Sequence, residues 1–242
     1  MSLLSDLKIL YHLALKPVRG PDHAARMESF YSGQAERYDE FRRRLLKGRQ
    51  ELWNLIQPPD GSIWVDMGGG TGSNLEFFGP FIGRLGKIYV VDLSPSLLDV
   101  AQRRAAASAW ANVETALADA TTFRPPGGPV DVVTFSYSLT MIPDWFAAIE
   151  NGLAILKPGG TIGVVDFYVS RKYTSNGSAR HGWLTRTFWP TWFALDNVFP
   201  SPDHVPFLHR HFDVLHFEEH RAKVPYLPFV RVPYYLFIGR KK

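Results

Sequence analysis

The chain has 242 residues, 45% of them hydrophobic and 21% charged, with a formal net charge of +4, enough for one α/β domain with a substantial core and short for two. It has no cysteine, which excludes disulfides, thiolate metal sites and a cysteine nucleophile and fits a reducing compartment. No apolar run is long enough to span a bilayer, and the mild charge alone argues weakly for any anionic partner.

Leu3, Leu7, Leu10 and Ala14, with Leu4, Tyr11 and Leu15 beside them, put one apolar face on a helix that Pro17 and Gly20 end. It is too short to cross a bilayer and lacks a signal-peptide cleavage pattern, which leaves a helix packed on the domain or one lying at a membrane interface. Asp22 to Ile56 reads as helical and amphipathic and contains the basic run Arg42-Arg43-Arg44 with Lys47 and Arg49. Residues 1–60 thus form a helical extension, and Pro58-Pro59-Asp60-Gly61 turns into a core domain over 61–242. Strands are expected at Ile63–Met67, Lys87–Val91, Val113–Leu117, Val130–Phe135 and Thr161–Val165. Helices fall between them, at about Ser73–Phe81, Pro95–Ala107 and Asp144–Leu156. Such alternation implies a parallel sheet with helices on both faces. An aromatic insertion over about 167–210 follows. Phe212–Glu219 and Pro233–Gly239 then read as strands too close in sequence for a helical crossover, hence as an antiparallel pair. From Arg171 to Lys242, eleven Lys/Arg stand against five Asp/Glu, a solvated basic surface on charge alone.

The first strand runs into Gly68-Gly69-Gly70-Thr71-Gly72, preceded by Asp66. Glycines at a strand-to-helix turn let a ligand lie directly on the backbone. No Gly-Lys-Ser/Thr follows to hold a triphosphate, and the spacing is not that of a dinucleotide fingerprint. Asp92 ends the second strand and continues as Leu93-Ser94, where an acid accepts hydrogen bonds from both ribose hydroxyls. Asp119-Ala120 follows the third strand, Ser136-Tyr137 the fourth, and Lys157-Pro158-Gly159-Gly160 turns into the fifth. Singly, each has a plain structural alternative: Asp66 satisfying loop donors, Asp92 capping a helix for which Ser94 is the better cap, Asp119 an exposed turn acid. Together, in order at successive strand ends, they resemble the class I S-adenosylmethionine-dependent methyltransferases. That resemblance implies a Rossmann-like seven-stranded, mostly parallel sheet with a C-terminal antiparallel hairpin. It implies S-adenosyl-L-methionine as cofactor, held by Asp66, Gly68, Gly69, Gly70, Gly72, Asp92, Leu93, Ser94, Asp119, Ala120 and Ser136.

Several blocks are more selective: Phe30-Tyr31-Ser32-Gly33-Gln34-Ala35 with Tyr38-Asp39 and Arg42, Leu45-Leu46-Lys47-Gly48-Arg49, Ser136 to Pro143, Gly163 to Val169, Arg186 to Phe193 and Val232-Pro233-Tyr234-Tyr235. Over almost the whole chain they resemble the methyltransferase of betaine-lipid biosynthesis. That resemblance implies trimethylation of the amine of diacylglycerylhomoserine by three successive transfers. It also implies a cytoplasmic protein held peripherally at the inner face of the membrane, possible association with the enzyme that makes the acceptor, and no nucleic-acid partner. With a lipid substrate, the N-terminal amphipathic helix becomes an interfacial anchor.

The residue types suit such chemistry. Methyl transfer from a sulfonium requires alignment of an uncharged amine and exclusion of water, with no metal or covalent nucleophile. A quaternary ammonium product favours aromatic faces, and nine aromatic residues lie between Phe167 and Phe199, most of them expected in packing. Tyr31, Tyr38, Tyr137 and Tyr168 are candidates for the amine pocket. Asp166 either holds the substrate ammonium, or takes its proton, or caps a loop. Arg42, Lys47 and Arg49 are candidates for the headgroup carboxylate or for anionic lipids of the membrane surface, and Trp189 and Trp192 for the rest of the acceptor. Competing readings are a methyltransferase of phosphatidylethanolamine or of a soluble amine or phenol, and a non-catalytic S-adenosylmethionine-binding partner protein. A nucleic-acid enzyme is disfavoured: Ser136-Tyr137-Ser138-Leu139 stands where such enzymes carry Asn/Asp-Pro-Pro-Tyr/Phe, and there is no separate recognition domain.

Overall fold

The structure, a computed structural model, describes Ala25, Glu28 and residues 45–174, 177–194, 197–224 and 230–242. The expected N-terminal helix, most of the helical stretch after it, and Tyr31, Tyr38 and Arg42 lie outside the described residues.

The elements follow as α1 (Arg49–Leu55), β1 (Ile63–Met67), a 3-10 segment (Ser73–Arg84), β2 (Lys87–Asp92), α2 (Pro95–Ala107), β3 (Val113–Leu117), β4 (Val130–Ser136), α3 (Trp145–Ile155), β5 (Leu156–Phe167), α4 (Trp183–Ala194), α5 (His204–His211), β6 (Phe212–Lys223) and β7 (Arg231–Lys241). The strands form one seven-stranded sheet in the order β3-β2-β1-β4-β5-β7-β6. Pairings are parallel from β3 through to β5, and β7 runs antiparallel to both β5 and β6. This is the Rossmann-like methyltransferase fold, with its hairpin at the end. Strand order reverses between β1 and β4, so a crevice opens at their carboxyl ends, where open α/β sheets bind ligands.

Alternate residues of each strand face opposite layers. Trp64, Ile88, Val90 and Val132 join Leu52, Trp53 and Phe78 on one side. Val65, Met67, Val91, Val133 and Phe135 join Phe123, Ile149 and Leu208 on the other. On the first side Trp64 meets Phe78 edge-on at 4.7 Å and stacks with Trp53 at 5.7 Å. Leu52, Trp53 and Ile56 are buried, so α1, which precedes the expected domain boundary at 60, belongs to the same core.

Three elements differ from expectation. The helix after the glycine loop is 3-10 and breaks at Gly79 (φ 51°, ψ −135°), just before Pro80; a proline has no N–H to continue a helical ladder. Even so, it buries Leu75, Phe78 and Ile82. Lys157 to Gly160 is a bulge within β5 rather than a turn before it: Leu156 already pairs with Val130, and pairing resumes at Thr161 with Val132. The last two strands extend into the segment expected to connect them, because Arg221, Ala222 and Lys223 pair with Pro233, Val232 and Arg231.

Candidate active site

The loop after β1 is lashed to its neighbours by its own backbone. The Gly68 and Gly69 amides donate to the Val91 carbonyl at 2.8 and 3.0 Å. The Gly70 amide donates to Asp92 Oδ2 at 2.9 Å, and the Ser94 amide to Asp92 Oδ1 at 3.0 Å. One carboxylate therefore holds both the glycine loop and the turn into α2. A side chain is excluded at the first two positions of this loop. At Gly68 (φ +68°) a β-carbon would lie 2.5 Å from Ser138 Cβ, and at Gly69 one would lie 2.8 Å from Val90 Cγ1.

Over the carboxyl ends of β1 to β4 lies a cavity of about 300 Å³. Gly68, Gly70, Asp92, Leu93, Asp119 and Ala120 line it from the first three strand ends, and Tyr137, Ser138, Met141, Ile142, Pro143 and Asp144 from the fourth. Asp119 Oδ1 accepts from the Thr121 amide and hydroxyl, both at 2.8 Å, which fixes its turn. Three of the described lining residues are aspartates and none is Lys, Arg or His. Among the described lining residues a pyrophosphate would meet no cationic side chain, whereas a sulfonium bearing a neutral adenosine matches both their charge and the apolar walls. The residues present therefore fit S-adenosylmethionine, and Asp92 and Asp119, expected at the ribose and the adenine, both line the cavity.

Other candidates lie beneath the cavity. Asp66 is buried and accepts from Asn74 Nδ2 at 3.0 Å and Thr134 Oγ1 at 2.9 Å. Thr134 in turn accepts from Trp64 Nε1 at 2.9 Å. Burial raises the Asp66 carboxyl to about 6, opposed by those two hydrogen bonds. Asp66 thus ties β4 to the start of the segment that follows the loop. Arg49, expected among the headgroup cations, is 5% exposed and donates to Asn74 Oδ1 at 3.1 Å and Ser73 Oγ at 3.2 Å. Its guanidinium is committed to the same support. Gly72 and Ser94 shape the two turns, Ser94 as the cap of α2 that accepts from the Leu97 amide at 3.3 Å. The Ser136 hydroxyl is buried without a hydrogen-bond partner among the described residues.

Asp166 does not reach the cavity. It is fully buried, and its oxygens accept from Thr140 Oγ1 and the Phe167 amide, both at 2.8 Å, and from the Thr140 amide at 3.2 Å. Of the three readings of Asp166, these hydrogen bonds favour the cap: the carboxylate shapes the turn after β4 that forms one cavity wall. Tyr137 is in that wall, with a left-handed backbone (φ 55°) that a bulky residue adopts only when its surroundings enforce it. Its amide donates to the Val165 carbonyl at 2.8 Å and its hydroxyl to the Lys47 carbonyl at 2.7 Å. Lys47 thus reaches the site through its backbone, while its side chain is exposed.

Burial raises the Asp166 carboxyl from 3.8 to about 7, against the hydrogen bonds from Thr140 and Phe167. The folded state therefore binds this proton more tightly than the unfolded chain. The resulting stability is full below about pH 3.8 and is lost as pH rises toward about 7. His204, whose value burial lowers to about 3, acts in the opposite direction as pH falls. The comparison with Asp166→Asn isolates the carboxylate: the variant should lack a few kcal/mol of the wild type's decline in unfolding free energy between about pH 4 and 7. Urea denaturation across that range checks this; parallel curves would contradict it.

Tyr168 also sits elsewhere. Its hydroxyl donates to Glu219 Oε1, its ring meets Tyr235 edge-on at 5.4 Å, and it lines a separate small cleft with Ser170, Arg171 and His209. Of the nine aromatic residues, Phe167, Tyr168, Trp189 and Phe193 are buried, and Tyr173, Trp183, Phe188, Trp192 and Phe199 are exposed. The buried ones continue from the cavity wall: Tyr137 to Phe167 at 4.6 Å, Phe167 to Phe193 at 4.9 Å, Phe193 to Trp189 at 5.4 Å. Trp189 is therefore packing, while Trp192 is 38% exposed on the outer face of α4.

Glu28 was not singled out from sequence. Its carboxylate accepts from the hydroxyls of Ser94 at 2.6 Å and Ser96 at 3.0 Å, tying a helical residue of the extension to the turn beside Asp92. The paired serines of Ser94-Pro95-Ser96 were visible, but a partner 66 positions away carries no local signal.

A family profile described as a methyltransferase domain matches residues 37–219. The chain is 29% identical over 169 residues to the ubiquinone/menaquinone biosynthesis C-methyltransferase UbiE of Pseudomonas fluorescens strain SBW25, which covers 67% of this chain and 66% of the relative. Just under two thirds of that relative's length is thus spanned. Among solved structures, the fold matches YcgJ of Bacillus subtilis with a TM-score of 0.65 at 14% identity, over 81% of this chain and 98% of that one. It also matches the N-methyltransferase NodS of Bradyrhizobium japonicum WM9, in complex with S-adenosyl-L-homocysteine, with a TM-score of 0.64 at 16% identity, over 91% of this chain and 99% of that one. Together with the cavity and its glycine loop, these matches identify the chain as a member of the methyltransferase domain family, an S-adenosylmethionine-dependent methyltransferase.

Proposed function

We propose that the methyl acceptor is the amine of a lipid headgroup, with diacylglycerylhomoserine, taken through three transfers to its trimethylated betaine, as the substrate. The observation that carries this reading is the run of aromatic rings from Tyr137 in the cavity wall through Phe167, Phe193 and Trp189 to Phe188, 5.0 Å from Trp189, on the exposed face of α4. These rings are close packing rather than a channel, and they set an apolar surface suited to an acyl-bearing acceptor on the helix packed behind the chamber wall. The selective sequence blocks that resemble the betaine-lipid enzyme point the same way.

When bound, S-adenosylmethionine supplies an electrophilic methyl group. The chain's task is to orient and to exclude water. Asp92 and Asp119, which line the cavity, would hold the nucleoside, and Gly68 and Gly70 would leave room for it against the backbone. Tyr137, held by the Lys47 carbonyl and by Phe167, presents an aromatic group to a methylated ammonium. A cavity with aspartates and no cationic side chain among its described lining residues tolerates a permanently cationic product. In this reading the enzyme works at the inner face of a membrane, beside the enzyme that makes its acceptor.

A second reading, C-methylation in quinone biosynthesis, is favoured by the similarity to UbiE. Labelled S-adenosylmethionine, offered with diacylglycerylhomoserine, phosphatidylethanolamine, free homoserine and a quinone precursor in parallel, separates them. Stepwise mono-, di- and trimethylation of the first alone is expected. Labelling of the quinone precursor, or of free homoserine equally with its lipid, would overturn the lipid-amine reading.

A further inference from the structure

The outer face of α4 carries a large apolar surface that the fold does not use. Leu184, Phe188 and Trp192, spaced i, i+4 and i+8 along one side of the helix, are 71%, 41% and 38% exposed, and Trp183 at its start is 68% exposed. The opposite side, through Trp189 and Phe193, is packed into the core. A loop returns to the head of the same helix: the Ser170 amide donates to His181 Nδ1 at 3.0 Å and the His181 amide to Ser170 Oγ at 2.8 Å. Between those closed ends lie Lys172, Tyr173, which is 75% exposed, and Arg180. From Phe167 to Ala194 the chain has four Lys/Arg and no Asp/Glu. Arg171 is paired with Asp203 at 2.6 Å, whereas Lys172 lies over the Tyr173 ring at 5.3 Å.

We propose that α4, with Lys172, Tyr173 and Arg180 before it, forms a membrane-contact surface, with Trp183, Leu184 and Phe188 entering the headgroup layer of an anionic bilayer and Lys172 and Arg180 meeting its lipid phosphates. The charge complementarity selects this occupant. The segment itself has no acid, and although Asp203 pairs with Arg171 and Glu219 accepts from the Ala179 amide, Lys172 and Arg180 favour a negative surface; Trp192 with Leu184 and Phe188 on one helix face, and Trp183 at the helix start, suit the boundary between headgroups and acyl chains. The buried side of the same helix packs through Phe193 and Phe167 on Tyr137 in the cavity wall, so docking here would set the bilayer against the element behind that wall. The inference deepens the lipid-acceptor reading and rests on it for its purpose, although the contact itself requires no acceptor.

The test is co-sedimentation of the full chain with phosphatidylcholine vesicles containing about one third phosphatidylglycerol and no acceptor lipid, with quenching of tryptophan fluorescence by brominated acyl chains. Wild type is expected to bind, with quenching, and to be released by high salt. Trp183→Gln/Leu184→Ser/Phe188→Ser should weaken binding at least about tenfold while keeping S-adenosylmethionine affinity, since no α4 residue lines the cavity. Lys172→Gln/Arg180→Gln, which leaves the helix intact, should weaken it severalfold and reduce the salt dependence. Vesicle binding that is absent, or unchanged in both variants, overturns the proposal. So does a wild-type dimer that the α4 variant dissolves without vesicle binding, which would assign the face to a second copy of the chain. Methylation of detergent-dispersed diacylglycerylhomoserine is measured alongside: transfer without vesicle binding defeats this surface alone, and vesicle binding without transfer defeats only the acceptor.

Discussion

Gly68→Ala is expected to lower kcat/KM about 100-fold or more, roughly 3 kcal/mol of transition-state stabilisation. Two costs combine at that position. The left-handed backbone at φ +68° costs an alanine roughly 1–2 kcal/mol, and its β-carbon would stand 2.5 Å from Ser138 Cβ. Ser138 has little room to retreat, because its hydroxyl donates to the Met67 carbonyl at 2.8 Å and it is itself part of the cavity wall. The loop must therefore move, and with it the Gly70 amide that Asp92 holds. Gly128→Ala is the control: its φ is +89°, but nothing lies within 4 Å of the added carbon. That variant should lose about 1 kcal/mol of stability and keep its cofactor affinity. Calorimetric titration with S-adenosylmethionine, paired with thermal unfolding, separates the two cases. Equal cofactor affinity in Gly68→Ala and wild type would show that the loop does not touch the ligand.

Asp92→Ala should raise KM for S-adenosylmethionine by about two orders of magnitude with a much smaller change in kcat, the pattern of a lost uniform binding interaction. The carboxylate accepts from the Gly70 and Ser94 amides at 2.9 and 3.0 Å, so its removal strands two backbone donors, each costing about 1–3 kcal/mol where burial keeps water out, and removes the acceptor expected at the ribose. Asp92→Asn keeps one acceptor oxygen but turns an NH₂ toward an amide donor, and an intermediate KM is expected. A fall in kcat at constant KM would place Asp92 in the chemical step instead and contradict the assignment.

The fold was largely readable because its signals are local. Apolar strands alternating with helices, and the punctuation at Pro58-Pro59-Asp60-Gly61, locate β1 to β5 to within a few residues. The exceptions are places where one residue overrides a pattern. Gly79 and Pro80 break the Ser73–Arg84 segment, although its apolar spacing reads as a continuous helix. The bulge in β5 appears only when Leu156 is seen paired with Val130.

The site divides along the same line. The glycine loop, Asp92 and Asp119 stand at successive strand ends, so sheet topology carries them to one cavity without any further information. Asp66, Arg49 and Asp166 have the residue types of a functional site, yet each is consumed by the protein's own polar groups: Asn74 and Thr134, Asn74 and Ser73, and Thr140 respectively. A sequence shows that a carboxylate exists but not which donors will surround it, because those donors arrive from other elements.

By itself, then, the sequence determined the class of domain, its cofactor and the order of the cofactor-binding turns, since periodicity and turn chemistry act over a few residues. Only the tertiary structure decided which charged groups face the cavity and which brace it, and which of the nine aromatic residues from Phe167 to Phe199 fill the core and which remain on the surface. Burial and hydrogen-bond partnership belong to residues far apart in the chain, and they exist only once the sheet has brought those residues together.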